Sequence, residues 1–156
     1  MSAPKPVRES QVITTQLVLP NDTNELGNLL GGTLMHWIDI AAAIAAQRHA
    51  DRVCVTASVD ELNFHHPIRL GDVVTLQASI NRAFRTSMEV GVVVTAHTRS
   101  GHLDRRANNA YLTFVAIDEQ GKPAEVPAVV PESADERRRF DEALVRRQRR
   151  LAHRSS

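Results

Sequence analysis

Hydrophobic and polar residues alternate along much of the second half of the chain. Over residues 73–84, 87–97 and 107–117, nearly every second residue is apolar. A period of two is typical of strands that bury one face and solvate the other, so these segments are predicted to form antiparallel strands. The buried face is predicted to carry Val74, Leu76, Ala78, Ile80, Met88, Val90, Val92, Val94, Ala96, Ala110, Leu112, Phe114 and Ala116.

Two more strands are predicted before these three. Residues 12–19 (VITTQLVL) are rich in β-branched side chains and stop at Pro20, as expected for a strand. Residues 53–64 form the other, and their alternation slips near Asp60 and Glu61. We predict a β-bulge there, because an extra residue in one strand shifts the alternation by one position.

A helical segment separates the first strand from the others. Residues 31–50 (GGTLMHWIDIAAAIAAQRHA) hold five alanines between positions 41 and 46, and the segment is too long for a strand, so we predict a helix. Apolar residues on almost every side of it predict burial of most of its surface. One such helix among strands, without a repeating βαβ pattern, predicts an α+β fold in which an antiparallel sheet curls around the helix.

Positive charge is concentrated at the C-terminus. Residues 1–131 carry 11 Lys and Arg against 13 Asp and Glu, whereas residues 132–156 carry eight against five. Ser133 and Glu136 fit a capping box, and apolar residues recur at helical spacing, so this tail is predicted to be a peripheral or partner-facing helix. A single Phe stands among its arginines, so nucleic acid is not an expected partner.

Length and composition fit one soluble domain. The chain has 156 residues, 42% of them hydrophobic, and one cysteine, Cys54. A domain of this size forms a core without disulfides, and a lone cysteine is typical of a reducing compartment. The longest apolar stretch, residues 34–46, is shorter than the ~20 residues of a membrane span, and the first eleven residues lack a signal-peptide pattern. We therefore expect a cytoplasmic protein that does not insert into membranes.

Four segments together resemble a known family. They are LPNDTNELGNLLGGTLMHWIDIAAAIAAQRHA, VTASVDELNFHHPIRLGDVV, RTSMEV and LTFVAID, and they look like the hotdog-fold acyl-coenzyme A thioesterases of the bacterial short-chain and eukaryotic cytosolic acyl-CoA hydrolase group. The resemblance covers about residues 12–123 and implies hydrolysis of an acyl-CoA to a free acid and coenzyme A. We divide the chain into a flexible N-terminus, 1–11, a hotdog domain, 12–131, and the helical tail, 132–156.

Asp39 is the first candidate for chemistry. A carboxylate in an apolar helix costs free energy unless it is paired or hydrogen-bonded, so it marks either a structural contact or a functional site. Asn24, taken alone, is typical of a turn. The resemblance implies that Asp39 is the catalytic carboxylate, as a general base or a nucleophile, and that Asn24 is the amide that orients water or the thioester carbonyl.

Five residues are candidates for binding the substrate. Gly31 and Gly32 either form a flexible joint before the helix or, as the resemblance implies, offer backbone amides to the oxyanion. The turn between two strands is either simply polar or, as the resemblance implies, lies beside coenzyme A. Its candidate residues are Arg85, Thr86 and Ser87. Phe84 departs from the family pattern, in which a small residue, usually Gly, precedes this Arg.

Two other functions stay open at this point. One is a hotdog module that binds acyl-CoA without cleaving it, and the other is a hotdog dehydratase of hydroxyacyl thioesters, for which His36 is the nearby histidine. We expect no metal and no organic cofactor, because ligand spacings and nucleotide-binding loops are missing from the sequence. The resemblance implies a dimer, assembled as a trimer of dimers, in which Asn24 and Asp39 of one site come from different subunits.

Overall fold

Seven strands and two α-helices make up the part of the chain that the structure describes. This computed structural model describes residues 2–60, 66–98 and 103–154, with the backbone path alone at 103–107. The elements are β1 (Lys5–Pro6), β2 (Val12–Leu17), α1 (Gly31–Ala50), β3 (Val53–Asp60), β4 (Val73–Ala83), β5 (Ser87–His97), β6 (Leu103–Ile117), β7 (Val129–Val130) and α2 (Ala134–Arg154). Short 3-10 turns cover Val7–Ser10 and Pro20–Asp22.

Five of the strands form one antiparallel sheet in the order β2, β4, β5, β6, β3. All thirteen positions predicted for its buried face are at most 4% exposed. Helix α1 packs on this inner face and starts and ends where the sequence predicted. Its alanines lack bulky side chains, so the helix and the sheet approach closely. The predicted α+β fold, an antiparallel sheet around one long helix, is confirmed.

Burial of α1 is less complete than its composition predicted. Leu34, Ile38, His49 and five alanines are buried, but Ile40 on the far side is 44% exposed. The helix therefore contacts the sheet of its own chain along one face and leaves an apolar position open on the other. Within the described residues, neither helix is both long and apolar enough to cross a membrane.

The bulge in β3 lies earlier than predicted. Asp60 pairs with Tyr111 in register, and the shift falls between Thr56 and Ser58, so the expectation of a bulge at Asp60 was wrong. The small residues around Ala57 hide the slip from a pattern of alternation. Glu61, the other position named in that prediction, lies outside the described residues.

The N-terminal segment, predicted to be flexible, lies against the domain. Strand β1 pairs in parallel with β7, and Val7 is 3% exposed. The Ser10 hydroxyl donates to the carbonyl oxygen of Val7 and accepts from the Ile80 N–H, at 2.7 and 3.0 Å. Residues 5–10 therefore pack as part of the fold, because a buried apolar side chain and a buried hydroxyl tie them to it.

Helix α2 covers the outer face of the sheet. Arg146 makes two hydrogen bonds to the carboxylate of Glu89, at 2.7 and 2.9 Å, and Glu89 is completely buried. Burial opposes the charge of Arg146, but its bonds to Glu89 outweigh burial and raise its pKa. The expectation of a peripheral tail was therefore incomplete, because this helix neutralises a charge inside the domain. Ser133 caps it as predicted, accepting from the Glu136 N–H at 3.1 Å.

A second bulge completes this charged centre. The register of β4 shifts between Ile80 and Arg82, and the extra residue, Asn81, donates from its amide nitrogen to Glu89 at 2.9 Å. A Cβ atom on Gly91 would lie 2.7 Å from that nitrogen. Glycine at this position therefore gives the Asn81 side chain its space.

Candidate active site

Asn24 organises the loop that leads to α1. Its side-chain oxygen accepts hydrogen bonds from the N–H groups of Leu26 and Asn28, at 2.9 and 3.1 Å, and Gly27 takes the positive φ that the turn requires (77°). The turn role that any Asn can fill is therefore present. Both bonds use the oxygen Oδ1, so the exposed Nδ2 group remains to donate to another molecule.

Asp39 lies on α1 at partial burial and faces the neighbouring strand β3. The Thr56 hydroxyl donates to its Oδ1 at 2.7 Å. This bond fixes one carboxylate oxygen and leaves Oδ2 to accept a proton or attack a carbon. Among the described residues, no hydrogen bond joins Asp39 to Asn24.

Gly31 and Gly32 form the first residues of α1. The residue before them, Leu30, offers no side-chain cap, so the first N–H groups of the helix stay open at the positive end of the helix dipole. Both glycines are exposed, and a Cβ atom on Gly32 would meet nothing within 4 Å. The chain therefore leaves open space beside the backbone of Gly32, where a side chain would stand.

The turn between β4 and β5 is held by its backbone. Phe84 donates its N–H to the Ser87 carbonyl oxygen at 2.8 Å, and the carbonyls of Arg85 and Thr86 each accept an N–H from elsewhere in the chain at 3.0 Å. The three candidate residues for coenzyme A are thus placed on one turn. These bonds use main-chain atoms, so they leave the side chains of Arg85 and Thr86 available, whereas the Ser87 hydroxyl accepts a hydrogen bond from Arg147 at 3.4 Å.

Arg85 shares a cavity of about 620 Å³ with Arg52 and Glu125. Arg52 comes just before β3, four residues from Thr56, a separation of ~13 Å along a strand. In the part of the chain that the structure describes, neither guanidinium has a side-chain partner. Two unpaired cations on one cavity suit an anion with several phosphates.

Other reactive side chains in the described residues have structural surroundings. Burial raises the pKa of the Cys54 thiol to about 11, which disfavours the thiolate at neutral pH. Burial also lowers the pKa of His49, whose Nε2 lies 2.7 Å from the carbonyl oxygen of Pro127. His36 is exposed on α1. No group of three or more metal-ligating side chains occurs in the described ranges.

Comparison with known proteins bears on what this arrangement does. The profile of the thioesterase superfamily matches residues 26–100. An uncharacterized acyl-CoA thioester hydrolase of Bacillus subtilis is 45% identical over 130 residues, which are 83% of this chain and 75% of that protein. The chain belongs to the acyl-CoA hydrolases of this superfamily. It spans only 25% of acyl-coenzyme A thioesterase 11 of Mus musculus and 38% of the Homo sapiens cytosolic acyl coenzyme A thioester hydrolase.

Solved acyl-CoA hydrolases share the whole fold. The Staphylococcus aureus enzyme, solved with butyryl coenzyme A and coenzyme A, has a TM-score of 0.89 and 42% identity, covering 96% of this chain and 92% of that one. A hexameric acyl-CoA thioesterase has a TM-score of 0.92 and 38% identity, covering 97% of both chains. Structures of the S. aureus enzyme also exist with an Asn, an Asp or a Thr replaced by Ala. Those residues have the same spacing along that chain as Asn24, Asp39 and Thr56 have here.

Sequence reasoning missed two residues of this candidate site. Thr56 lies on an edge strand of the sheet and looks like an ordinary exposed strand residue, and only its contact with Asp39 singles it out. Arg52 precedes the same strand, and only its cavity with Arg85 relates it to the turn. Both relations join distant parts of the chain, so no local pattern reveals them.

Proposed function

We propose that this protein hydrolyses the thioester of an acyl-CoA through Asp39. The observation that carries the proposal is the Asp39 carboxylate, half-buried on α1 and held by Thr56 through one oxygen. In this reaction Oδ2 of Asp39 takes a proton from water, and the water oxygen attacks the thioester carbon. The tetrahedral intermediate then expels the coenzyme A sulfur, which receives the proton, and leaves the free acid.

Direct attack by Asp39 is the competing route to the same products. It would form a mixed anhydride that water then opens. A single turnover in H₂¹⁸O, followed by mass spectrometry of Asp39, tests for an anhydride that water opens at the Asp39 carbonyl carbon. Label in the product acid and none in Asp39 is expected for the general base, whereas ¹⁸O in the Asp39 carboxylate would assign it as the nucleophile.

The oxyanion of the intermediate is assigned to the first amides of α1. The open space beside Gly32 supports this assignment, because a thioester oxygen needs close approach to the backbone. Gly32→Val should therefore lower kcat/KM strongly while the thermal midpoint changes little, and Gly32→Ala should give a smaller loss. Normal kcat/KM in the Val variant would contradict this assignment.

The nucleotide end of coenzyme A is assigned to the cavity between Arg52 and Arg85, with Thr86 and Ser87 on the adjacent turn. The charge and the lack of partners of the two arginines support this, because phosphates are bound through charge-assisted hydrogen bonds. Arg52→Ala and Arg85→Ala should each raise KM for acyl-CoA but not for an acyl-pantetheine that lacks the nucleotide. Equal rises for both substrates would contradict this assignment.

We infer further that the site is shared between two copies of the chain. Strand β3 is an edge of the sheet, and edges pair with other strands. Exposed apolar side chains lie along this edge: Val53, Val55 and Val59 on β3, and Ile40 on the helix beside it. A dimer across β3, assembled further as a trimer of dimers, accounts for these exposed positions.

Mixed dimers test the shared site. Asn24→Ala and Asp39→Asn should each be nearly inactive, but unfolding and refolding them together gives random pairing, in which about half the dimers hold one intact site under two-fold symmetry. About a quarter of the wild-type activity should return. Exchange of chains without any return of activity would place both residues in the site of one chain.

A thiol-release assay across acyl chain lengths tests the activity itself. Turnover above the buffer rate is expected for at least one chain length. Thermal protection by coenzyme A without turnover at any length would show a binding module instead. We propose that no metal or cofactor takes part, because the carboxylate and the helix amides supply base and oxyanion contact, so dialysis against EDTA should leave the rate unchanged. We also propose a cytoplasmic location, in line with the mammalian relatives that are named cytosolic.

A further inference from the structure

The C-terminal half of α2 lies against the turn that carries Arg85, Thr86 and Ser87. The guanidinium of Arg147 stands 4.2 Å from the centre of the Phe84 ring. The same group donates a hydrogen bond to the Ser87 hydroxyl, at 3.4 Å. Arg147 therefore contacts both ends of the turn, one through an aromatic face and the other through an oxygen.

The position of Arg147 is fixed by anchors on both sides of it. Arg82 stacks on Phe140 at 3.9 Å near the start of α2, and Arg150 pairs with Asp60 at 2.6 Å near its end. The pair of Arg146 with the buried Glu89 lies between them. The anchoring residues of α2 are spaced three or four positions apart and so share one helix face: Phe140, Ala143, Arg146 and Arg150. Ala143 is completely buried.

We propose that Arg147 is a positioning residue for coenzyme A binding. Its contacts with Phe84 and Ser87 hold the turn in the conformation that presents Arg85 to the nucleotide, and its charge adds to the positive potential there. The inference rests on the assignment of coenzyme A to this turn. It goes beyond that assignment, because it gives the arginine-rich helix a role in substrate binding.

Phe84 is the reason that the contact exists in this chain. A guanidinium binds the face of an aromatic ring within about 6 Å of its centre, and a small residue at this position offers no such face. The half-buried ring also replaces a small residue, usually Gly, which would leave the backbone next to Arg85 more flexible. The bulky residue at 84 and the arginine at 147 therefore act as a pair.

A double-mutant cycle over Arg147→Ala and Phe84→Leu tests the proposal in the full-length protein. Arg147→Ala should raise KM for acyl-CoA by about five- to tenfold, as loss of a cation–π contact and a hydrogen bond predicts, with kcat within about twofold. Phe84→Leu should raise KM less, and the double variant should match Arg147→Ala, because the two changes remove one shared contact. Arg147→Lys, which keeps the charge, should recover part of the loss.

Arg149→Ala is the matched control, since Arg149 is exposed on the same helix, and its KM should equal that of the wild type. An acyl-pantetheine substrate should show no rise in KM for any of these variants. If Arg147→Ala lowers the thermal midpoint and leaves KM for acyl-CoA unchanged, the helix only stabilises the fold and the proposal is overturned. If Arg85→Ala also leaves that KM unchanged while hydrolysis persists, the coenzyme A assignment fails and the thioesterase function stands.

Discussion

The two long helices of this protein lie on opposite faces of one sheet and are held there by different kinds of contact. Helix α1 buries eight residues against the inner face, where burial of apolar surface needs no particular direction. Helix α2 buries only Ala143 among its described side chains and docks through arginines. Its contacts are ion pairs and aromatic faces, which depend on distance and angle.

The polar residue that each helix holds against the sheet therefore has a different expected role. Asp39 is the polar residue that α1 presents to β3, so changing it should alter the reaction more than the fold. Arg146 neutralises Glu89, which is completely buried, so changing it should alter the fold more than the reaction.

Loss of the buried pair should have the largest effect. Arg146→Ala leaves the Glu89 carboxylate buried without its cation, so the free energy of unfolding should fall by about 3–5 kcal/mol. Urea denaturation measures this fall in the free energy of unfolding. Arg138→Ala, which breaks two exposed ion pairs on the same helix, should leave the midpoint nearly unchanged. The double variant Glu89→Gln, Arg146→Ala should be more stable than Arg146→Ala alone, and the reverse order would show that Glu89 is not the group left unpaired.

Loss of the carboxylate on α1 comes next and should affect the rate. Asp39→Asn should reduce kcat at least ~100-fold, because an amide cannot accept the proton from water. The thermal midpoint and the affinity for coenzyme A should stay close to those of the wild type. Retained activity would remove Asp39 from the mechanism, and failure to fold would give it a structural role instead.

A smaller loss of rate should follow from Thr56→Val. The hydroxyl orients Asp39 through one hydrogen bond, and about tenfold in kcat corresponds to ~1.4 kcal/mol, the size of a bond to a charged group. Adding Thr56→Val to Asp39→Asn should cost nothing further, because Thr56 acts through Asp39. Additive losses, measured by thiol release, would mean that Thr56 contacts the substrate directly.

The smallest effect concerns a polar group on the outer face. The hydroxyl of Thr113 is buried without a hydrogen-bond partner among the described residues, and its strand neighbour is Glu89. Thr113→Val removes that unsatisfied group at similar shape, so the free energy of unfolding should stay equal or rise by up to ~1 kcal/mol. A clear decrease in the urea midpoint would show that the hydroxyl has a partner in solution.

Much of the fold follows from local patterns in the sequence. The alternation of Val74, Leu76, Ala78 and Ile80 was enough to assign the buried face of β4, because side chains on a strand alternate strictly. The alanine-rich segment was enough to place α1, because it is too long for a strand. Asp39 is visible in the sequence as a carboxylate within an apolar helix, whereas Asn24 alone looks like a turn residue and was assigned a role only through the resemblance to a known family.

What the sequence did not reveal are the relations between distant segments. The bond from Thr56 to Asp39, the cavity of Arg52 and Arg85, and the ion pair of Arg146 with Glu89 each join residues that are far apart in the chain. The tail looked peripheral because its composition is polar, and polar composition does not tell whether a charge has a buried partner. Periodicity reports the face on which a residue lies, and only the packing of the elements decides which side chain it meets there.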